Sequence, residues 1–173
     1  MIKPILFWNL RGLGTSKRRL VKLVHLYKPK IIALAEPFLN VSHLSRLQAK
    51  LHMENSVSNE DSGGKIWLLW AAGVKVKVLN YFAQSLTVSL DENNCQFIIS
   101  FIYATCRQLE RRDLWDNLHS INPGNVRWMV LGDFNIIRVD GERRGGRPRS
   151  AVAMAKFNSL IEDSGLVEMN YEG

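Results

Sequence analysis

The chain has 173 residues, of which 46% are hydrophobic and 23% charged, and its formal net charge is +7 at pH 7. This length and composition fit one domain with a substantial core, and no apolar run approaches the roughly 20 residues of a membrane-spanning helix. The opening segment lacks the length and cleavage site of a signal peptide. We therefore expect an intracellular protein, in the nucleus or cytoplasm, that is neither secreted nor bound to a membrane.

Apolar periodicity and turn signals predict a mixed order of strands and helices. The predicted strands are 5–9, 31–35, 65–70, 74–80, 86–90, 96–103 and 127–131. The predicted helices are 17–27, with Ser16 as its N-cap, 42–51, 109–121 and 150–163. Strands alternate with helices at both ends of the chain and follow one another in its middle. This order predicts an α/β or α+β sandwich with covering helices.

Cys95 and Cys106 are the only cysteines. The segment from Cys95 to Tyr103 is predicted to be extended over roughly 26 Å, at about 3.3 Å per residue, which is too far for a disulfide unless the chain folds back sharply after Tyr103. Two cysteines alone do not make a zinc site either. We expect reduced thiols, no disulfide-linked partner and a monomer.

Four apolar strands end in polar side chains. Asn9, Glu36, Tyr103 and Asp133 occupy these ends, and Asn135 follows two residues after Asp133. If the ends meet at one rim, they supply the hard oxygen ligands that Mg²⁺ prefers. Taken singly, each has an ordinary explanation as a strand cap, a solvated acid, a packed ring or an Asx turn. Four such ends in order favour a catalytic site over coincidence.

Positive charge is unevenly distributed. The first 35 residues carry eight Lys or Arg and no acid, and five arginines follow Asp133: Arg138, Arg143, Arg144, Arg147 and Arg149. Basic clusters suit a polyanion because each neutralised phosphate releases counterions, although solvated loops and helix faces can have the same composition. For the loop at 138–150, its adjacency to the strand-end residues favours contact with DNA.

These motifs together resemble a known superfamily. FWNLRGLG (7–14), IIALAEP (31–37), FIYA (101–104) and VLGDFN (130–135) resemble successive motifs of the endonuclease/exonuclease/phosphatase superfamily, which has the DNase I-like fold. The likeness is narrower still to the endonuclease domain of plant LINE-type (non-LTR) retrotransposons. It rests on WNLRGLG with Arg11, GGKIWLLW (63–70), YATCRQLERRDLWDNL (103–118) and GDFNIIRVDGERRGG (132–146).

The resemblance implies a four-layered α/β sandwich over residues 1–173 that hydrolyses phosphodiester bonds in DNA with Mg²⁺ or Mn²⁺. Asn9 and Glu36 would help to hold the metal, and Tyr103 would contact the scissile phosphate. Asp133 would activate or orient the attacking water, beside Asn135, which would position water or phosphate. The residues expected to bind nucleic acid are Arg11, Arg143, Arg144 and Arg147.

The family pattern continues past a segment resembled here by 166–169, into an Asp that orients a His and a final Ser-Asp-His motif. No Asp-His pair occurs in this chain, and the four histidines do not match by motif. We therefore expect a domain that is incomplete at its C-terminus and impaired in catalysis. The alternatives are an inactive remnant that at most binds nucleic acid, and an enzyme for phosphoinositides or small phosphoesters, which the positive charge disfavours.

Overall fold

The computed structural model describes residues 4–92, 95–121, 123–142, 144–145 and 150–169. Contacts between residues divide the chain into two compact units. The first unit comprises the described parts of 1–103 and 123–133, and the second comprises those of 104–122 and 134–173. No helix among the described residues is long and apolar enough to cross a membrane.

The first unit contains two four-stranded sheets within its described residues. The first sheet has the order β1–β2–β4–β3, formed by β1 (Ile5–Asn9), β2 (Ile31–Ala35), β3 (Asn55–Ser58) and β4 (Ile66–Trp70). The second has the order β5–β6–β7–β8, formed by β5 (Lys75–Phe82), β6 (Ser85–Glu92), β7 (Cys95–Tyr103) and β8 (Arg127–Asp133). β1 pairs in parallel with β2, and β7 with β8, whereas the other neighbours are antiparallel.

Two apolar cores enclose the first sheet. Ile31 and Ala33 of β2 pack with residues of the second sheet such as Phe101, while Ile32 and Leu34 pack in the other core. The core that contains Ile32 and Leu34 also includes side chains from α1 (Leu13–Tyr27) and from α2 (Leu44–Lys50). α2 follows a 3₁₀ turn at Val41–His43. Every residue of β2 is buried, which explains its uninterrupted apolar sequence. Each fully buried Leu or Ile contributes about 1.5–3 kcal/mol.

Asn59 links the two sheets through its buried side chain. Its Nδ2 donates to the carbonyl oxygens of Phe82 (2.7 Å) and Ser85 (3.3 Å), and its Oδ1 accepts from the Ile66 N–H (2.8 Å). A Cβ on Gly64 would overlap the Asn59 side chain. The Asn59 amide therefore joins the β3–β4 loop to the β5–β6 turn. The absence of a side chain at Gly64 leaves space for this amide.

The second unit contains α3 (Arg111–Ile121), a 3₁₀ turn at Asp140–Glu142 and α4 (Ala151–Asp163). Its core includes three packed rings, with Phe157 lying 5.6 Å from Trp115 and 4.9 Å from Phe134 between centroids. Ser150 caps α4 by accepting a hydrogen bond from the Ala153 N–H at 3.3 Å.

The structure corrects the predicted start of the first helix. α1 begins at Leu13 rather than Lys17, and Gly12 is its N-cap residue. Ser16 therefore lies inside the helix, where its hydroxyl donates to the Leu10 carbonyl at 3.0 Å. The prediction was wrong because the Leu13 N–H is satisfied by the Pro37 carbonyl at 2.8 Å, a partner from a distant part of the chain. β3 was not predicted either, since its sequence NSVS is polar.

Candidate active site

Four strand-end side chains lie together in the first unit: Asn9, Glu36, Tyr103 and Asp133, hereafter the strand-end quartet. Tyr103 and Asp133 are direct neighbours across the parallel pair β7–β8, and Asn9 pairs with Ala35, the residue before Glu36. Two hydrogen bonds cross between the sheets. Asn9 Nδ2 donates to Asp133 Oδ2 at 2.9 Å, and the Tyr103 hydroxyl donates to Glu36 Oε1. All four side chains are half-buried, so the quartet is fixed and yet reaches the surface.

Backbone hydrogen bonds continue past the ends of β1 and β2 and hold the rim in place. The N–H groups of Leu10, Gly12 and Leu13 donate to the carbonyls of residues 35, 36 and 37 at 2.8–2.9 Å. The Glu36 N–H donates to the Lys65 carbonyl at 3.0 Å. Glu36 is therefore anchored on both sides through its main chain, which limits the movement of its carboxylate.

Left-handed backbone conformations cluster in the same two loops. Arg11 has φ 48°, and Glu36 and Phe38 both have φ 51°. For residues other than glycine, such conformations cost of the order of 1–3 kcal/mol each and persist only where the surrounding structure enforces them. The main-chain hydrogen bonds described above hold these residues in the left-handed conformation. The rim is therefore rigid, and its conformation lowers the stability of the fold.

Gly132 allows Asp133 to occupy its position. It has φ 150°, and a Cβ at this residue would overlap the carbonyl oxygen of Ile102, its partner in β7. Only glycine permits this close approach of the two strands. Sequence patterns assign no role to Gly132, although a glycine directly before a strand-end acid in an apolar strand is a signal of close backbone packing.

The oxygen donors of the quartet suit a hard divalent cation. They comprise two carboxylates and the Asn9 amide oxygen, which accepts a hydrogen bond from the Arg11 N–H at 3.3 Å. Within the described part of the chain there is no group of three His, Cys, Asp or Glu that could hold a metal ion. Mg²⁺ needs no such group, because it commonly binds through one or two carboxylates and completes its shell with water and substrate phosphates.

Asn135 belongs to the second unit, where main-chain contacts fix it. It has φ 49°, and its Nδ2 donates to the Ala104 carbonyl at 2.6 Å. The Asn135 carbonyl accepts from Arg111 Nη1 at 3.2 Å, and the same nitrogen donates to the carbonyls of Thr105 (3.0 Å) and Cys106 (3.1 Å). Arg111 is only 4% exposed. Its guanidinium therefore ties together the segments that follow Tyr103 and Asp133 in the chain.

The structure describes two of the four arginines that were predicted to bind nucleic acid. Arg11 and Arg144 are exposed, whereas Arg143 and Arg147 lie outside the described residues. Neighbouring Arg138 bonds to Asn158 Oδ1 at 3.1 Å, which anchors it to α4.

Another cation of the second unit is also engaged. Arg107 pairs with Glu110 at 2.8 Å, and this hydrogen bond lowers the pKa of the Glu110 carboxyl and raises the pKa of the Arg107 guanidinium. Part of the positive charge in this unit is therefore held in internal ion pairs and hydrogen bonds.

Solved structures share the fold of this chain at low sequence identity. The endonuclease domain of TRAS1, a telomere-specific non-LTR retrotransposon, aligns over 97% of this chain and 75% of its own, with a TM-score of 0.71 and 13% identity. AP endonuclease LMAP from Leishmania major aligns over 92% and 66%, with a TM-score of 0.67 and 14% identity. A D. rerio TDP2 humanized by 14 mutations aligns over 80% and 67%, with a TM-score of 0.59 and 19% identity.

These likenesses confirm the predicted fold class, a mixed α/β fold of the DNase I-like type. The chain spans about two thirds to three quarters of the length of these solved chains. A search of curated proteins found no match. The sequence profile of the endonuclease/exonuclease/phosphatase family, however, matches residues 6–169. Because this match spans nearly all of the sequence, the chain belongs to the endonuclease/exonuclease/phosphatase family.

Proposed function

We propose that this domain hydrolyses phosphodiester bonds in DNA with a divalent metal ion, Mg²⁺ or Mn²⁺, and that it derives from the endonuclease of a LINE-type retroelement. The observation that carries the proposal is the strand-end quartet, in which two carboxylates, an amide and a phenol meet at one rim. The net charge of +7 favours a polyanionic substrate. The likeness to a retrotransposon endonuclease domain supports the proposed origin.

In this proposal Asn9 and Glu36 hold the metal, and Asp133 accepts a proton from the attacking water or orients it. A bound divalent ion supplies neutralisation of the charge that develops on the phosphate and the leaving oxygen. Asn9 Nδ2 orients the Asp133 carboxylate through the hydrogen bond at 2.9 Å. The Tyr103 hydroxyl, which can rotate away from Glu36, donates to a phosphate oxygen, and Asn135 positions phosphate or water.

The basic residues supply the contacts to the DNA backbone. Arg11 lies in the β1–α1 loop, two residues after Asn9, and is exposed, as is Arg144. In this proposal Arg11 and Arg144, with Arg143 and Arg147, contact phosphates of the DNA backbone. Binding through such contacts weakens steeply as salt concentration rises.

Nicking of supercoiled plasmid tests the proposal. The purified protein is expected to nick with Mg²⁺ or Mn²⁺ and to stop on addition of EDTA. Asp133→Ala should reduce the rate by about 10² or more, because it removes the proposed base. Asp61→Ala, the same substitution at an exposed acid on a 3₁₀ turn, serves as the matched control. Equal nicking by wild type and Asp133→Ala would refute the role of Asp133.

A second candidate is a nucleic-acid-binding domain without hydrolytic activity. It is favoured by the sequence, in which no Asp is followed by His. All four histidines are exposed, and His25 lies in the last turn of α1, about 18 Å along the helix axis from Leu13. This candidate predicts salt-sensitive DNA binding with no nicking in either metal. Nicking that Asp133→Ala abolishes would exclude it.

A further inference from the structure

We propose that Phe38 forms a stacking subsite for one base of the DNA strand beside the strand-end quartet. The inference rests on the proposed action on DNA and adds a contact to the substrate. Phe38 follows Glu36 by two residues, and its side chain is 58% exposed. Leu39 and Val41, 38% and 39% exposed, extend the apolar surface. Single exposed apolar residues are ordinary, but three within four positions next to a candidate site form a patch.

The backbone at Phe38 adopts a left-handed conformation although its side chain is exposed. A φ of 51° is a true outlier for a bulky side chain, and Glu36, two residues earlier, has the same value. Between them, buried Pro37 accepts the Leu13 N–H at 2.8 Å. The main chain is therefore fixed, while the ring is presented to solvent. Strain held in place around an exposed aromatic is characteristic of binding sites rather than of cores.

The surroundings of Phe38 combine an open aromatic surface with positive charge. A Cβ on Gly12 would lie 3.6 Å from Phe38 Cδ2, so the ring rests beside the β1–α1 loop. The Lys65 Nζ lies over the ring, 5.7 Å from its centroid, so a base would stack on the part of the Phe38 ring that remains exposed. Glu60, the acid nearby, accepts the Val41 N–H at 3.1 Å and so contributes to holding the loop.

Phe38 borders an open cleft of about 500 Å³, whose lining also includes Leu39, Lys65 and Trp67. This volume is ample for a planar ligand. Aromatic faces beside cationic side chains are the means by which proteins bind single strands, with bases stacked on rings and phosphates near Lys or Arg. Because Pro37, which lines the cleft, directly follows Glu36, the proposed metal ligand, the occupant of the cleft is a base within a few nucleotides of the cut.

Binding of a 2-aminopurine oligonucleotide in EDTA tests the subsite without cleavage. The full chain is titrated with single-stranded and nicked duplex forms, following anisotropy for affinity and 2-aminopurine fluorescence for stacking. Wild type should quench the fluorescence, and Phe38→Ala should lose the quenching and about tenfold in affinity. Phe38→Trp should keep both. Phe38→Leu keeps an apolar side chain but lacks the aromatic face, so it should behave like Phe38→Ala.

Two controls separate stacking from general damage. Tyr27→Ala removes another exposed aromatic, at the opposite end of α1 and about 21 Å along the helix axis from Leu13, and should bind like wild type. Phe38→Gly should not lower the Tm, because glycine adopts the left-handed conformation without strain, yet it should weaken binding.

The subsite would be overturned if Phe38→Ala or Phe38→Leu kept the affinity and the quenching of the wild type. It would also be overturned if the wild-type protein did not bind the oligonucleotide. Binding that depends on Phe38 without metal-dependent nicking would instead refute the proposed hydrolysis alone. Metal-dependent nicking with no effect of Phe38 would refute the subsite alone.

Discussion

Asn9 Nδ2 donates to Asp133 Oδ2 at 2.9 Å, although the two residues are 124 positions apart. Asn9 ends a strand of the first sheet and Asp133 ends a strand of the second, so one side-chain contact joins the rims of both. The second cross-sheet contact, from Tyr103 to Glu36, joins the same two rims. The geometry of the candidate site therefore depends on how the two sheets pack.

A double-mutant cycle measures the contact between Asn9 and Asp133. Asn9→Ala and Asp133→Ala are each expected to lower the free energy of unfolding, with a coupling energy of about 1 kcal/mol, because either change removes the same hydrogen bond. Urea unfolding of the two single variants and the double variant gives this term. In the nicking assay, the double variant should be little worse than the poorer single variant. Strictly additive effects on stability would show that the contact contributes nothing.

Glu36→Gln keeps the size of the side chain but removes its charge. If Glu36 holds the metal, the Mg²⁺ concentration for half-maximal nicking should rise by about 10- to 100-fold, a range found when metal-site partners are changed. Tyr103→Phe, which keeps the ring, should shift this midpoint less. Glu54→Gln is the control because Glu54 is exposed. A midpoint that stays unchanged in Glu36→Gln would exclude Glu36 as a metal ligand.

Asn59→Leu tests the buried amide that connects the sheets. The change deletes hydrogen bonds to Ile66, Phe82 and Ser85 at a position with no solvent exposure, so the free energy of unfolding should fall by about 2–4 kcal/mol. Asn55→Ala, on the exposed first residue of β3, should change it by about 0.5 kcal/mol or less. Equal denaturation midpoints for both variants would contradict this account.

Gly132→Ala and Gly14→Ala should act in opposite directions. A Cβ at Gly132 overlaps the Ile102 carbonyl, so we expect a loss of about 2 kcal/mol or more in the free energy of unfolding, and weaker nicking as Asp133 moves. Gly14 lies in α1 with open space around it, and alanine there should stabilise by about 0.5–1 kcal/mol. Thermal denaturation compares the two. A stable, fully active Gly132→Ala protein would disprove the close-approach argument.

Arg111→Ala and Arg112→Ala differ by one position but should differ widely in effect. Arg111 is buried and donates to three carbonyls, so its loss should cost about 2–4 kcal/mol and speed hydrogen exchange at 104–106 and 134–136. Arg112 is exposed, and its replacement should change stability by about 0.5 kcal/mol or less. Similar exchange rates in the two variants would mean that the carbonyl contacts are not stabilising.

The features that the sequence predicted best are those set by local pattern. The apolar runs before Asn9, Glu36, Tyr103 and Asp133 form strands, and polar residues follow where each strand reaches the rim. Short apolar runs that end at polar or turn residues are sufficient for this. The roles assigned to these residues, and to Asn135, stay predictions.

The features that sequence patterns missed depend on distant partners. Asn59 in isolation is an ordinary turn residue, because its three partners come from other strands. Arg111 has the character of a surface charge, since Glu110 and Asp113 are close to it. Its spacing of three, four and seven residues from Leu114, Trp115 and Leu118 is the signal that places it on the buried face of α3.

The separation of 124 positions between Asn9 and Asp133 has a consequence for biosynthesis. A ribosome adds roughly 5–20 residues per second, so several seconds pass between the synthesis of these two residues. During that time β1 can pair with β2, but β7 lacks its parallel neighbour β8 and the quartet lacks its second acid. A nascent chain therefore holds an incomplete site until residue 133 has left the exit tunnel. The appearance of nicking would report the completion of tertiary structure, rather than the formation of any one sheet.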